Sequence, residues 1–214
     1  VTQVDESVLR TRLLKGAAKM DVNLSDQQCD QLLAYLKLFD KWNRTYNLSA
    51  IRDIEQMLGR HLLDSLSVVP YISGRRLIDV GTGGGLPGIP LAIMFPERSF
   101  TLLDSNGKKT RFLFQVKTEL NLANVDVVNT RVERFQPPEL FDGVISRAFA
   151  SLEDMVTGCH HLLDPGGVFY AMKGIYPNDE LSALEKSYKV SDSYPLQVPN
   201  EEGERHLLVI TAGE

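Results

Sequence analysis

The segment Leu77-Ile78-Asp79-Val80-Gly81-Thr82-Gly83-Gly84-Gly85-Leu86-Pro87-Gly88 constrains this chain more than any other. An apolar run enters a stretch in which five of eight residues are glycine, and a helical pattern follows. Glycine admits positive φ and lets the backbone approach a ligand with no Cβ in the way. A plain turn needs one glycine or two. At the carboxyl end of the first strand of a doubly wound sheet, such a turn forms the ligand crevice.

The rest of the chain agrees with such a sheet. Short apolar runs near 76–80, 99–104, 125–130, 142–147, 167–173 and 206–211 alternate with helical stretches over 88–95, 107–121, 151–163 and 178–186. A further strand at 187–194 is weakened by Lys189, Ser191 and Asp192. This alternation predicts an α/β fold with a mostly parallel sheet covered on both faces. The first seventy residues read as helical. Leu9, Leu13, Ala17 and Met20 fall near one stripe, and Leu32, Leu33, Leu36 and Phe39 form another behind a capping box at Ser25–Gln28. Asp53 and Gln56 repeat the capping-box spacing ahead of Leu58, Leu62 and Leu66, and Pro70 ends the pattern. The expected division is a helical cap over 1–70 and an α/β domain over 71–214.

The glycines alone leave the ligand open. Gly83, Gly85 and Gly88 satisfy the dinucleotide pattern G-x-G-x-x-G, but Gly88 lies between Pro87 and Pro90. Prolines remove N–H donors that a pyrophosphate at a helix N-terminus would use. Asp104 ends the second strand, suited to accept hydrogen bonds from both hydroxyls of a ribose; capping the helix from Asn106 onward is its alternative role. An acid there also disfavours a 2′-phosphate.

Composition excludes other classes. No apolar run approaches the ~20 residues of a membrane span, and no signal-peptide pattern opens the sequence. Cys29 and Cys159 lack metal-ligand spacing, so no metal is expected, and a reducing cytoplasm is the natural compartment. The net charge of −5 argues against coating nucleic acid by bulk electrostatics while leaving room for local basic patches.

The glycine turn, Asp104, Phe141-Asp142-Gly143-Val144-Ile145-Ser146-Arg147 and Leu163-Asp164-Pro165-Gly166-Gly167-Val168 occur in an order that resembles class I methyltransferases. A narrower resemblance rests on Val80 to Ala92, Ser146-Arg147-Ala148-Phe149-Ala150, Gly203-Glu204-Arg205-His206, Trp42-Asn43-x-x-Tyr46-Asn47-Leu48 and His61-x-x-Asp64-Ser65-Leu66. These segments are similar to the bacterial 16S ribosomal RNA guanine-N7 methyltransferases, also called glucose-inhibited division protein B, over nearly the whole chain. The resemblance implies a Rossmann-like domain that binds S-adenosyl-L-methionine. Its methionine end would lie against Gly81, Gly83 and Leu86, although helix–sheet packing suits Leu86 better. Its ribose would lie at Asp104 and its adenine beside Val132 and Glu133, for which a solvated helix start is the alternative. The implied partner is 16S rRNA in a structured ribosomal particle, with the enzyme a monomer.

Several transfer chemistries conflict with the residues present. Transfer to cytosine C5 needs a cysteine nucleophile, and neither Cys29 nor Cys159 is placed for it. Transfer to an exocyclic amine uses an Asn/Asp-Pro-Pro-aromatic turn, where this chain has Ser146-Arg147-Ala148-Phe149. A 2′-hydroxyl transferase would pair Lys173 with an acid at the end of strand four, where Arg147 stands. Guanine N7 is a neutral lone pair that loses no proton, so positioning matters more than a general base. Arg147 is the candidate catalytic residue, able to donate to guanine O6 while bordering the cofactor; a salt bridge to Asp142 or Glu133 is the alternative. Arg131 and Arg205 are candidates for RNA phosphate contact, or ordinary surface charges. Trp42, Arg44, Tyr46 and Asn47 offer a stacking and phosphate surface, although core packing suits Trp42 better. An NAD-binding regulatory module, a methyltransferase of a non-rRNA substrate and a catalytically silent RNA-binding module are the rival readings.

Overall fold

The computed structural model describes residues 4–213. Val1–Gln3 and Glu214, at the outer ends of the two expected segments, lie outside the described residues. Strands β1 (Arg76–Val80), β2 (Ser99–Asp104), β3 (Val125–Asn129), β4 (Phe141–Ser146), β5 (Leu163–Lys173), β6 (Tyr188–Pro195) and β7 (His206–Ala212) form one sheet in the order β3-β2-β1-β4-β5-β7-β6. β1 through β5 pair in parallel, while β7 runs antiparallel between β5 and β6. The strand order reverses between β1 and β4, which makes that point the crevice of the sheet.

Local sequence explains most elements. β1 is central and covered on both faces, so Leu77 through Val80 are all buried. β6 is the sheet edge. Its exposed Lys189, Ser191 and Asp192, with a bulge between Val190 and Asp192, deter pairing with other chains. The residues that weakened this strand by pattern are thus what an edge requires. The helix expected over 151–163 stops sooner: α7 spans Leu152–Cys159, a tight turn covers His160–Leu162, and β5 already begins at Leu163.

Helices α1 (Glu6–Lys19) and α2 (Asp26–Tyr46) bury Leu9, Leu13, Ala17, Leu32, Leu33, Leu36 and Phe39. The capping box of α2 is formed. Ser25 Oγ accepts from the Gln28 amide at 3.1 Å, and Gln28 Oε1 accepts from the Ser25 amide at 2.9 Å. The second expected box is not. Asp53 accepts from the Glu55 amide instead, at 3.0 Å. Beyond it α3 (Ile54–Met57) continues into a π-helical stretch, Leu58–Leu63, and then α4 (Asp64–Leu66). The wider π turns rotate the side chains that follow relative to a regular helix.

α2 lies against α5 (Gly88–Met94) and α6 (Gly107–Glu119), so the N-terminal helices share one hydrophobic core with a face of the sheet. Phe39 meets Phe112 edge to face at 5.7 Å, and Trp42 packs on Phe112 at 5.6 Å. Buried Phe39 and Phe112 each contribute roughly 1.5–3 kcal/mol, and the partly buried Trp42 adds to the contact that anchors α2 above the crevice. α7 covers the opposite face. No helix among the described residues is long and apolar enough to cross a membrane.

Candidate active site

The carboxyl ends of β1, β2 and β3 open on a cavity of about 240 Å³ lined by Gly81, Asp104, Arg131, Val132, Glu133 and Phe149, among others. Gly81 lines it, and Gly83 belongs to the same turn just outside that lining. Gly81 has φ 68°, and a Cβ there would come within 2.7 Å of the Ala148 Cβ. Gly83 has φ 59°, and a Cβ there would point into open space. Asp104 holds the turn against the second strand. Its Oδ2 accepts from the Gly83 amide and its Oδ1 from the Asn106 amide, both at 2.9 Å. Asn106, not Asp104, caps α6, accepting from the amides of Lys108 and Lys109. Each carboxylate oxygen has a further lone pair, which a ribose hydroxyl can use.

Beneath the turn, Asp79 Oδ2 accepts from Thr82 Oγ1 at 2.7 Å and from the Gly88 amide at 2.8 Å. The amide a dinucleotide pyrophosphate would seek at the start of α5 is therefore already occupied. Burial pushes the Asp79 carboxyl up to about 7, and its other oxygen has no partner among the described residues. The Leu86 side chain takes the packing role that was its alternative reading. Its side chain is 3% exposed and packed in the core, and its amide donates to the Thr82 carbonyl, leaving only its carbonyl for a ligand.

The loop after β4 is a seam. Ala148 and Phe149 line the first cavity, and Arg147 lines a second of about 360 Å³ with Asp64, Lys173, Arg205 and His206. Arg147 pairs with neither Asp142 nor Glu133. Its Nη1 lies 3.4 Å from Asp64 Oδ2, while Arg205 Nε donates to Asp64 Oδ1 at 2.8 Å. Asp142 is occupied at the far end of the sheet by the amides of Arg75 and Arg76, at 2.7 and 2.8 Å. Glu133 and Arg131 face the first cavity, so Arg131 and Arg205 are not brought together. Burial lifts the Asp64 carboxyl above its ordinary value, opposed by the two guanidiniums.

Other titratable groups nearby are committed. Lys173 Nζ donates to Glu180 Oε1 at 2.8 Å and to the carbonyls of Phe149 and Ala150 at 3.2 and 3.3 Å, which clamps the seam. His61, buried beside Phe39, shares a 2.8 Å hydrogen bond with Ser49 through Nε2. Burial and the charge of Arg147 lower its pKa to about 4, so it is neutral near pH 7. His206 shares a 2.8 Å hydrogen bond with the Gly174 carbonyl through Nδ1. Burial raises the Cys159 thiol to about 12, which removes it as a nucleophile.

Sequence reasoning missed two contributors. Asp64 entered only as part of a matched segment, with no charge partner in view. Tyr35 was not among the positions singled out in the second helical stripe, yet its hydroxyl donates to the Gly84 carbonyl at 2.5 Å. α2 thereby braces the glycine turn.

A dinucleotide-binding sheet runs in the order 3-2-1-4-5-6; here a reversed β7 enters between the last two strands, beside a crevice whose helix N-terminus is already satisfied. That combination is the fold of class I, S-adenosyl-L-methionine-dependent methyltransferases. One from Thiobacillus denitrificans, solved with S-adenosyl-L-homocysteine, matches with a TM-score of 0.54 over 82% of this chain and 98% of its own, at 12% identity.

The family model for rRNA small subunit methyltransferase G, GidB, matches residues 28–208. The Ribosomal RNA small subunit methyltransferase G of Cellvibrio japonicus is 62% identical over 213 residues, 97% of each chain. That of Saccharophagus degradans is 62% identical over 203 residues, 95% of this chain and 91% of its own. The chain belongs to this family.

Proposed function

We propose that this protein transfers the methyl group of S-adenosyl-L-methionine to N7 of a guanine in 16S rRNA. The observation that carries this reading is the pair of cavities on either side of the β4 loop, one lined by Asp104, Val132 and Glu133 and one by Arg147 and Arg205. Asp104 accepts from the ribose hydroxyls, while the Val132 amide and the Glu133 carboxylate meet the adenine edge. Gly81, Gly83 and the Leu86 carbonyl flank the methionine end. The bound donor supplies an electrophilic sulfonium methyl. Everything else asked of the chain is orientation, because N7 attacks as a lone pair and releases no proton. Arg147 donates to guanine O6 and leaves N7 free, and Arg131 and Arg205 contact phosphates on either side. Lys173 and His61, tied as described, are structural in this scheme rather than proton carriers.

The helical segment 1–70 acts as a cap on the methyltransferase domain 71–214, bracing the glycine turn through Tyr35. The substrate is structured RNA in a ribosomal particle, since an acidic chain has to rely on shape and a few local contacts. The enzyme works as a cytoplasmic monomer. Nucleoside mass analysis of 16S rRNA from cells lacking the protein tests the reading. The expected result is loss of 7-methylguanosine, restored on re-expression; an unchanged nucleoside profile overturns it. High activity on small subunits and little on GTP is the accompanying expectation for the purified protein.

A further inference from the structure

Two arginines far apart in the chain converge on one carboxylate. Arg147 follows β4, Arg205 precedes β7, and Asp64 opens α4 directly after the π-helical stretch. Asp64 is 9% exposed and sits at the floor of the second cavity, with Arg205 at 2.8 Å and Arg147 at 3.4 Å. The two arginines are not held equally. Arg205 also donates to the carbonyls of Glu202 and Gly203 at 3.2 and 3.3 Å. Arg147 has Asp64 alone; among the described residues no hydrogen bond engages its remaining N–H groups. One edge of its guanidinium is thus anchored, and the other faces the cavity.

We infer that Asp64 is a positioning residue for methyl transfer, whose carboxylate fixes Arg147 and Arg205 as a preassembled pair so that Arg147 presents its free edge to the acceptor guanine. This rests on the acceptor site proposed above. Two guanidiniums lining one cavity repel each other and would otherwise swing toward water. A single carboxylate between them offsets that repulsion and leaves the triad one net positive charge, in a cavity that Glu202 and Glu204 also line. A planar donor fork held in advance loses less conformational freedom when its partner arrives. The effect of Asp64 therefore passes through Arg147 more than through Arg205, which has its own carbonyl ties.

The test is single-turnover transfer to 16S rRNA in small subunits by Asp64→Asn and Asp64→Glu, each alone and combined with Arg147→Ala, alongside calorimetry with S-adenosylhomocysteine. Asp64→Asn is expected to slow transfer about tenfold or more, with nucleoside affinity unchanged within about twofold. Asp64→Glu, which restores the charge on a longer arm, should recover part of the rate. In the Arg147→Ala background Asp64→Asn should add little, since both changes remove one interaction. Additive losses, a wild-type rate in Asp64→Asn, or an equal fall in S-adenosylhomocysteine affinity would overturn the inference. Should Asp64→Asn fail to fold, Asp64→Glu decides: slower transfer with intact S-adenosylhomocysteine binding supports the role, and an unimpaired rate removes it. If the wild-type protein itself leaves the RNA unmethylated, the substrate assignment fails, a different outcome from failure of this inference.

Discussion

The two cavities on either side of the β4 loop are built by different rules. The first is assembled from the ends of adjacent parallel strands, and each of its key groups lies where a strand meets its own loop. The second draws on α4, the end of β4, the end of β5 and the start of β7, and its central charge is a buried carboxylate shared by two arginines. The first therefore presents backbone shape and acids fixed by local structure. The second presents charges whose orientation depends on distant packing. In the proposed function one side is a holder and the other an aligner, and mutations should separate them.

The largest separation is expected from Arg147→Ala. Its single-turnover transfer rate should fall about a hundredfold or more, the scale of a misplaced reacting group, while S-adenosylhomocysteine affinity changes little. A parallel loss of affinity would show that the seam does not divide the two functions. Asp104→Ala is the converse. Calorimetry should show S-adenosylhomocysteine binding weakened by roughly 1.5–3 kcal/mol, with circular dichroism unchanged. Unaltered binding would remove Asp104 from the site.

A smaller effect concerns the floor of the holder. Asp79 has a folded pKa of about 7 against an ordinary 3.8, so between these values the folded state binds more protons than the unfolded chain. Its stabilising contribution is full below the unfolded value and is lost as pH rises through about 7. Asp79→Asn keeps an acceptor for Thr82 and Gly88 without the charge. Relative to wild type, it should gain a few degrees in melting temperature between about pH 5 and about pH 8. His61 slopes the other way, with stability present above its ordinary 6.5 and lost as pH falls toward about 4. Comparison of Asp79→Asn with wild type at each pH isolates the aspartate. A constant difference in melting temperature across the range would contradict the buried-charge account.

The smallest expected change is none at all. With N7 as the nucleophile, single-turnover rates at saturating RNA and donor should stay nearly flat across roughly pH 6.5–8.5, where a working histidine would titrate. A steep rise would bring His206 or another base into the aligner and end its description as purely orienting.

Much of the holder was legible. The placing of Gly81 and Asp104 on the first cavity was readable because glycine at a strand end and an acid at the next strand end are local signals with a local physical reason. Val132 and Glu133 came through family resemblance, since a short turn after β3 has no distinguishing pattern. Leu86 was a candidate contact on the same ground, with packing as its alternative, and its side chain packs in the core. In the aligner, Arg147 was legible as the residue at the end of β4. Its partner was sought in Asp142 and Glu133, near in sequence or by strand order, and found in Asp64, 83 residues away.

The sequence by itself determined the sheet, the glycine turn, the acid after β2, the cap of α2 and the place of Arg147. Each follows from φ preference, capping or hydrophobic period, which act over a few neighbouring residues. Only the tertiary structure decided that Tyr35 reaches Gly84 across 49 residues and that Arg205 reaches Asp64 across 141. Such pairings carry no local signature, because charge and hydrogen-bond complementarity operate through space. They arise once α2 and α4 have docked on a core shared with the sheet.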